Sequence, residues 1–410
     1  MDTNTLSHNL IMTGQACFTP NYQPQGIVLE RGLGAQVWDL EGRAYIDFGA
    51  GIAVSALGHQ DPDLIAALQA QLTKIWHTSN LYYTEPAIRL AAELVQTSFA
   101  ERVFFCNSGA EANEAAIKLA RRYASEHLAP EQRQIVTFLG GFHGRTLATV
   151  TATAQPKYHS GFEPLPGGFR YCAFNDFAAA ERAIDGQACA VLVEPIQGEG
   201  GIVPAQPGFL QHLRECCDRV GALLMVDEIQ SGMGRTGRLF AHEWESGLTP
   251  DVMTLAKGLG GGMPIGAMLV GSKAAEILKL GSHGSTFGGN PLACAVARAV
   301  LRKVNDPHML QHIRYQGEQL RLALESINAE LGVFQTIRGQ GLMLGAQLAK
   351  TYHGQIARLL EYCRHQGVLV LQAGTDVVRL VPPLTINSSE LTMGIERLDQ
   401  ALRVFAVETR

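Results

Sequence analysis

The chain has 410 residues, 46% of them hydrophobic, which is enough for a large core and for two or three domains. Its 33 basic and 38 acidic side chains leave a net charge of −5, and no lysine- or arginine-rich block invites nucleic acid or an anionic membrane surface. Residues 1–18 lack the basic start and long apolar stretch of a secretory signal, no apolar run nears a membrane span, and eight scattered cysteines without a CxxC pair read as reduced thiols in a cytoplasm.

From about Val28 to Asp47 the pattern predicts a short hairpin region, with Val37-Trp38-Asp39 and Tyr45-Ile46-Asp47 flanking the turn Glu41-Gly42-Arg43. Apolar β-type runs then follow at Arg102–Cys106, Gln134–Phe138, Ala190–Val193, Leu223–Val226 and Val252–Leu255, with helices at Glu111–Ala124, Phe177–Ile184 and Gly208–Val220. This alternation predicts an α/β domain with a largely parallel sheet covered on both faces. After about Ala299 long amphipathic patterns give way to short strands near Gly345–Leu348, Val368–Leu371 and Val377–Leu380. The expected division is a large α/β domain at 59–305 and a smaller α+β domain built from 1–58 and 306–410.

Ligands of open α/β sheets sit beyond the carboxyl ends of the strands. Asp227 closes the apolar run Leu223–Val226, and Lys257 follows the run Val252–Ala256. A lysine amine and an acid at the ends of two buried strands are what a pyridoxal phosphate site requires, the amine for a Schiff base and the acid to keep the pyridine nitrogen protonated. The bland alternative is a helix cap and a solvated loop lysine. A third element is Ser108 with Glu111 three places on, a capping box that starts a helix with Ala112, Ala116, Leu119 and Tyr123 on its buried face. The free N–H groups of that first turn, around Gly109 and Ala110, suit a phosphate dianion. GxxxxGK[ST], GxSxG and HExxH are all absent, and the histidines show no metal-ligand spacing, so no metal is expected.

Six segments resemble class III aminotransferases: Asn107-Ser108-Gly109-Ala110-Glu111-Ala112-Asn113, Phe142-His143-Gly144-Arg145-Thr146, Glu194-Pro195-Ile196-Gln197-Gly198-Glu199-Gly200-Gly201, Asp227-Glu228-Ile229-Gln230, Ala256-Lys257-Gly258, and His283 to Ala293. The resemblance runs from about Tyr22 to the C-terminus, and within the family it is nearest to the acetylornithine/succinylornithine aminotransferases of bacterial arginine metabolism. It implies a fold-type I homodimer with a mostly parallel seven-stranded sheet, two shared active sites and one pyridoxal 5′-phosphate per subunit. By the same resemblance Lys257 is the Schiff-base lysine and proton shuttle, Asp227 pairs with the pyridinium, Gln230 bonds the 3′-oxygen and Phe142 stacks on the ring. Ser108, Gly109 and Ala110 hold the phosphate with Thr286 of the other subunit, and Glu228 and Ile229 belong to the cofactor contacts.

For substrates, the family pattern assigns two carboxylate clamps to Arg145 and Arg379, with Glu199 pairing Arg379 in one half-reaction and releasing it in the other. A strand-edge arginine paired with some acid is the bland alternative for Arg379. Ser285 is implied as a hydrogen-bonding partner of an acylated donor, and Tyr22 as a substrate-side tyrosine. Ile52 stands where ornithine aminotransferases carry a tyrosine. The implied reaction moves the terminal amino group of N2-acetylornithine or N2-succinylornithine to 2-oxoglutarate. A broader ω-aminotransferase acting on ornithine, 4-aminobutyrate or succinyl-diaminopimelate is the alternative.

Overall fold

A computed structural model describes residues 3–408. In chain order the strands are β1 (Leu29–Leu33), β2 (Gln36–Asp39), β3 (Ala44–Asp47), β4 (Arg102–Cys106), β5 (Gln134–Phe138), β6 (Phe169–Cys172), β7 (Ala188–Val193), β8 (Ile196–Gln197), β9 (Val203–Pro204), β10 (Leu223–Asp227), β11 (Val252–Leu255), β12 (Gly266–Val270), β13 (Phe334–Gln340), β14 (Met343–Leu348), β15 (Val368–Leu369), β16 (Leu371–Ala373) and β17 (Val377–Leu380). Seven of them form one sheet in the order β4-β12-β11-β10-β7-β5-β6, parallel throughout except for β12.

The five strands expected for this sheet are present, and β6 and β12 complete it. Neither of these two stood out in the sequence. β6 is an edge strand whose Arg170 and Tyr171 break the apolar pattern, and β12 follows a glycine-rich turn that hides its start. Alternation along β10 shows why the central strands are apolar at every position. Leu223 and Met225 pack under the helix Gly109–His127, while Leu224 and Val226 face the helix Phe209–Val220 on the other side. At the upstream end of the chain the helix Thr3–Cys17 precedes β1.

The expected hairpin near Asp39 is part of a three-stranded meander, and Gly42 takes φ +79 at its turn, where a side chain would be strained. The expected strand Val368–Leu371 divides in two. β15 pairs parallel with β3, Val368 against Ile46, and β16 pairs with β17 in a separate sheet ordered β13-β14-β17-β16. The division falls at Val370, which is buried between the two sheets' strands. Among the described residues no helix is long and apolar enough to cross a membrane.

The helix Pro307–Leu331 lies against the chain turn at Gly341 so closely that a Cβ on Gly317 would stand 2.2 Å from the Gly341 carbonyl oxygen. Backbone cannot yield as a flexible side chain can. Replacing Gly317 by alanine is expected to destabilise the fold by about 1–3 kcal/mol, read as a lowered urea midpoint with an unchanged slope.

Candidate active site

Parallel pairing brings the carboxyl ends of β4, β5, β7, β10 and β11 to one edge of the sheet, and the chemistry-bearing residues follow directly from those ends. From β4 the chain turns at Ser108 into the helix Gly109–His127, and the Ser108 Oγ accepts the Glu111 N–H at 3.2 Å. The other half of the expected capping box is displaced by one residue. The Glu111 carboxylate takes the N–H of Asn107 at 2.7 Å instead of that of Ser108. At the helix start a Cβ on Gly109 would stand 2.7 Å from Ile229 Cδ1, so the side chain of Ile229 closes over that turn.

Asp227 ends β10 and is 3% exposed. Its Oδ1 accepts the Ile229 N–H at 3.0 Å. Its Oδ2 accepts from Asn113 Nδ2 at 2.7 Å and lies 2.8 Å from His143 Nδ1. Asn113 also donates to the His143 carbonyl at 2.8 Å and accepts from the Thr254 hydroxyl at 2.8 Å, which uses both ends of its amide. Burial pushes the His143 imidazolium down, but the hydrogen bond and charge of Asp227 outweigh it and leave its pKa raised. The acid therefore sits beside an imidazole and two amide donors.

Lys257 follows β11 with φ +40, a left-handed conformation that costs a non-glycine residue of the order of 1 kcal/mol or more. Burial lowers the pKa of its ammonium, Arg379 lowers it further, and the carboxylates of Glu199, Asp227 and Glu194 oppose both. A less basic amine spends more time neutral, and only the neutral amine attacks a carbonyl. Beside it Arg379 of β17 is 2% exposed, paired with the Glu199 carboxylate and donating to Gln230 Oε1 at 3.2 Å. Gln230 in turn donates to Glu199 at 3.4 Å. Burial pushes the Glu199 carboxyl up, but Arg379 foremost, with Lys257, holds it below the usual range.

Lys257, Asp227, His143 and Gln230 line a cavity of about 390 Å³, whereas Arg379 and Glu199 contact Gln230 without lining it. Of the residues expected from the sequence, Ser108, Gly109, Ala110, Phe142, Arg145, Asp227, Ile229, Gln230 and Lys257 line it. Glu228 does not. Its carboxylate turns away to accept the Ala241 and His242 N–H groups at 2.6 and 2.8 Å and to meet His242 Nδ1 at 2.7 Å, so it braces a neighbouring turn. Arg145 is exposed, 4.1 Å over the Tyr158 ring and 5.5 Å from that of Phe142. Ser285 Oγ accepts from Asn107 Nδ2 and the Gly288 N–H, both at 3.1 Å. Thr286, Tyr22 and Ile52 are exposed and lie off this cavity wall. Sequence reasoning assigned no role to Asn113, His143 or Glu194, which the structure buries at the centre. Their only signal was membership of the same motifs.

The arrangement offers N–H groups for an anion at a helix start, a buried carboxylate for a protonated ring nitrogen, an aromatic face, and an amine of lowered basicity. Comparison with known proteins decides the class, since the family model for aminotransferase class-III matches residues 17–402. The chain belongs to the class-III aminotransferases. It is 57% identical over 394 residues to acetylornithine aminotransferase of Xanthomonas campestris pv. campestris, covering 95% of this chain and 96% of that one. It is 52% identical over 385 residues to succinylornithine transaminase of Yersinia pseudotuberculosis, covering 92% and 93%. The crystal structure of N-acetylornithine aminotransferase from Stenotrophomonas maltophilia K279a superposes with a TM-score of 0.85 at 49% identity, covering 98% of this chain and all of that one. The ornithine aminotransferase of Toxoplasma gondii superposes at 0.94 with 32% identity, covering 98% and 96%. This aminotransferase has pyridoxal 5′-phosphate as its cofactor, and the donor set of the cavity fits that group.

The Glu199 shift carries a pH prediction. A carboxyl held below its ordinary value of 4.5 contributes stability above that pH and loses it as the pH falls through the lower folded value. The gap in thermal midpoint between the native protein and Glu199→Gln is therefore expected to be widest above pH 4.5 and to close on acidification below it. A gap that stays constant down to pH 3 contradicts the ion pair.

Proposed function

We propose that this enzyme transfers the terminal amino group of N2-acetylornithine or N2-succinylornithine to 2-oxoglutarate, giving the semialdehyde and glutamate within arginine metabolism. The observation that carries the reading is the buried Arg379–Glu199 pair against Gln230 and close to Lys257. A donor that reacts through its terminal amine brings no carboxylate to the reacting carbon, and an unpaired guanidinium in a dry pocket is costly. Glu199 then satisfies Arg379. Glutamate and 2-oxoglutarate do bring a carboxylate there, and the planar guanidinium clamps it once Glu199 has moved off. The relatives named for acylated ornithines support the same donor class.

Pyridoxal phosphate, when bound, supplies an electron sink that acidifies the amine-bearing carbon. Asp227 would face the ring nitrogen, and Asn113 with His143 fixes that carboxylate in place. Phe142 would offer its aromatic face to the ring, Gln230 its amide to the ring oxygen, and the first turn at Ser108, Gly109 and Ala110 its N–H groups to the phosphate. Lys257 Nζ would hold the cofactor and, as a free amine, would serve as the base and acid that takes a proton from the donor's terminal carbon and returns one to the carbonyl carbon of 2-oxoglutarate. Arg145 is in no ion pair among the described residues and holds the distant carboxylate of either substrate. By the family pattern Ile52, in place of the tyrosine that favours free ornithine, suits an acylated donor, and Ser285 and Tyr22 belong to the substrate side.

The working unit is a homodimer, with Thr286 reaching the partner's phosphate. Support comes from the strongly exposed Leu81, Tyr82, Tyr83 and Phe287, apolar surface that a second copy would cover. A cytoplasmic setting agrees with eight free cysteines. We assign the cofactor-binding part to 59–305 and the smaller part to 1–58 with 306–410, a division supported by the pairing of Val368 with Ile46.

Steady-state kinetics with acetylornithine, succinylornithine, ornithine and 4-aminobutyrate test the donor. An acylated ornithine is expected to exceed the other two by at least about tenfold in kcat/KM, and the reverse order establishes the broader ω-aminotransferase instead. Arg379→Ala is expected to lower kcat/KM for glutamate on the order of 100-fold, and that for the acylated donor much less. Lys257→Ala is expected to remove turnover by at least about a thousandfold.

A further inference from the structure

Glu194 is 7% exposed, lines the cavity, and stands one residue beyond β7. The pairing of Val193 with Val226 in adjacent parallel strands places Glu194 beside Asp227 at the sheet edge. Its two carboxylate oxygens serve two different loops. Oε2 accepts the Phe142 N–H at 2.9 Å, and Oε1 accepts the Gly198 N–H at 3.1 Å. Phe142 belongs to the loop after β5, and Gly198 immediately precedes Glu199. Both loops are packed to the limit around this contact. A Cβ on Gly198 would stand 2.4 Å from Gln230 Nε2, and one on Gly141 would stand 2.9 Å from the Phe138 carbonyl oxygen and 3.5 Å from Glu194 Oε2.

We propose that Glu194 is a positioning residue whose single carboxylate sets the Phe142 loop and the Glu199 loop at one fixed separation, so that the ring-facing wall and the gate over Arg379 are placed together. The proposal rests on the Glu199–Arg379 reading above. Through these two bonds the position of one loop is tied to that of the other, and a shift of either changes the reach of Glu199 to Arg379 or the seat of the aromatic ring. A carboxylate can accept from both N–H groups at once, whereas an amide in its place turns an NH2 toward one of them and loses that bond. Burial pushes the Glu194 carboxyl up to about 7, Asp227 adds to the rise, and His143 with the two N–H donors opposes it. That balance explains why two backbone donors are committed to one side chain.

The test is Glu194→Gln, compared with Glu199→Gln, in the two half-reactions measured separately and in amide hydrogen exchange of the cofactor-free and loaded protein. For Glu194→Gln, kcat/KM with the acylated donor is expected to fall about tenfold, equivalent to ~1.4 kcal/mol, with kcat carrying most of the change, while the glutamate half-reaction changes less than about threefold. The Phe142 and Gly198 amides are expected to exchange at least about tenfold faster in both protein forms, with the core strands unchanged. Glu194→Asp keeps the charge but is too short to span both donors, and it is expected to shift the ratio of half-reactions in the same direction. If Glu199→Gln shifts that ratio and neither Glu194 variant does, the gate stands and the role of Glu194 is overturned. If neither residue shifts it, the gate reading falls and takes this proposal with it. Equal losses in both half-reactions, or unchanged exchange at both amides, also overturn it.

Discussion

The carboxylate of Asp227 is the group on which the site depends. A carboxylate at 3% exposure is costly unless its oxygens are hydrogen-bonded. The structure meets this with two amide donors and an imidazole, drawn from three separate elements: Asn113 on the helix after β4, His143 in the loop after β5, and the Ile229 N–H in the turn beyond β10. Those three elements meet only because their strands run parallel and end at one edge. The doubly covered sheet is therefore a requirement of the chemistry as well as the source of the core.

A second tier of charge surrounds this one. Arg379, Glu199 and Glu194 all act on the Lys257 ammonium, and Arg379 and Lys257 act on the Glu199 carboxyl, two acids with two bases. Such a cluster tolerates the arrival of a substrate carboxylate or a substrate amine, since either can be matched by a change of partner within it. The Glu199 carboxylate is tied to Arg379 and Gln230 by side-chain contacts alone, whereas that of Glu194 is tied to backbone on both sides.

Much of this was legible in the order of residues. Asp227 and Lys257 announced themselves as charges that end apolar runs, and Ser108 as a hydroxyl three places ahead of an acid. Asn113 did not, because one amide inside a helical stretch looks the same whether it meets water or a buried carboxylate. Glu228 shows the opposite failure. It stands next to Asp227 in the motif, yet neighbouring residues in a turn point different ways, and its carboxylate braces His242. β6 and β12 were missed because an edge strand with charged members and a strand behind a glycine-rich turn both lack the clean periodicity that marks the central ones. Tyr22, Ile52 and Thr286 are exposed away from the cavity, and their roles came from family resemblance, since neither apolar periodicity nor motif geometry singles them out.

The pairing of β15 with β3 has a consequence for how the protein is made. Ile46 emerges from the ribosome early, and its parallel partner Val368 emerges only when synthesis is nearly over. Until then the first three strands form a meander with one open edge, next to a finished or finishing central sheet. The last step of assembly is thus the arrival of the chain's final quarter, which seals that edge and brings Arg379 to Glu199. A nascent chain that stops short of β17 would hold Asp227, Lys257 and Glu199 without Arg379, the buried partner of that glutamate.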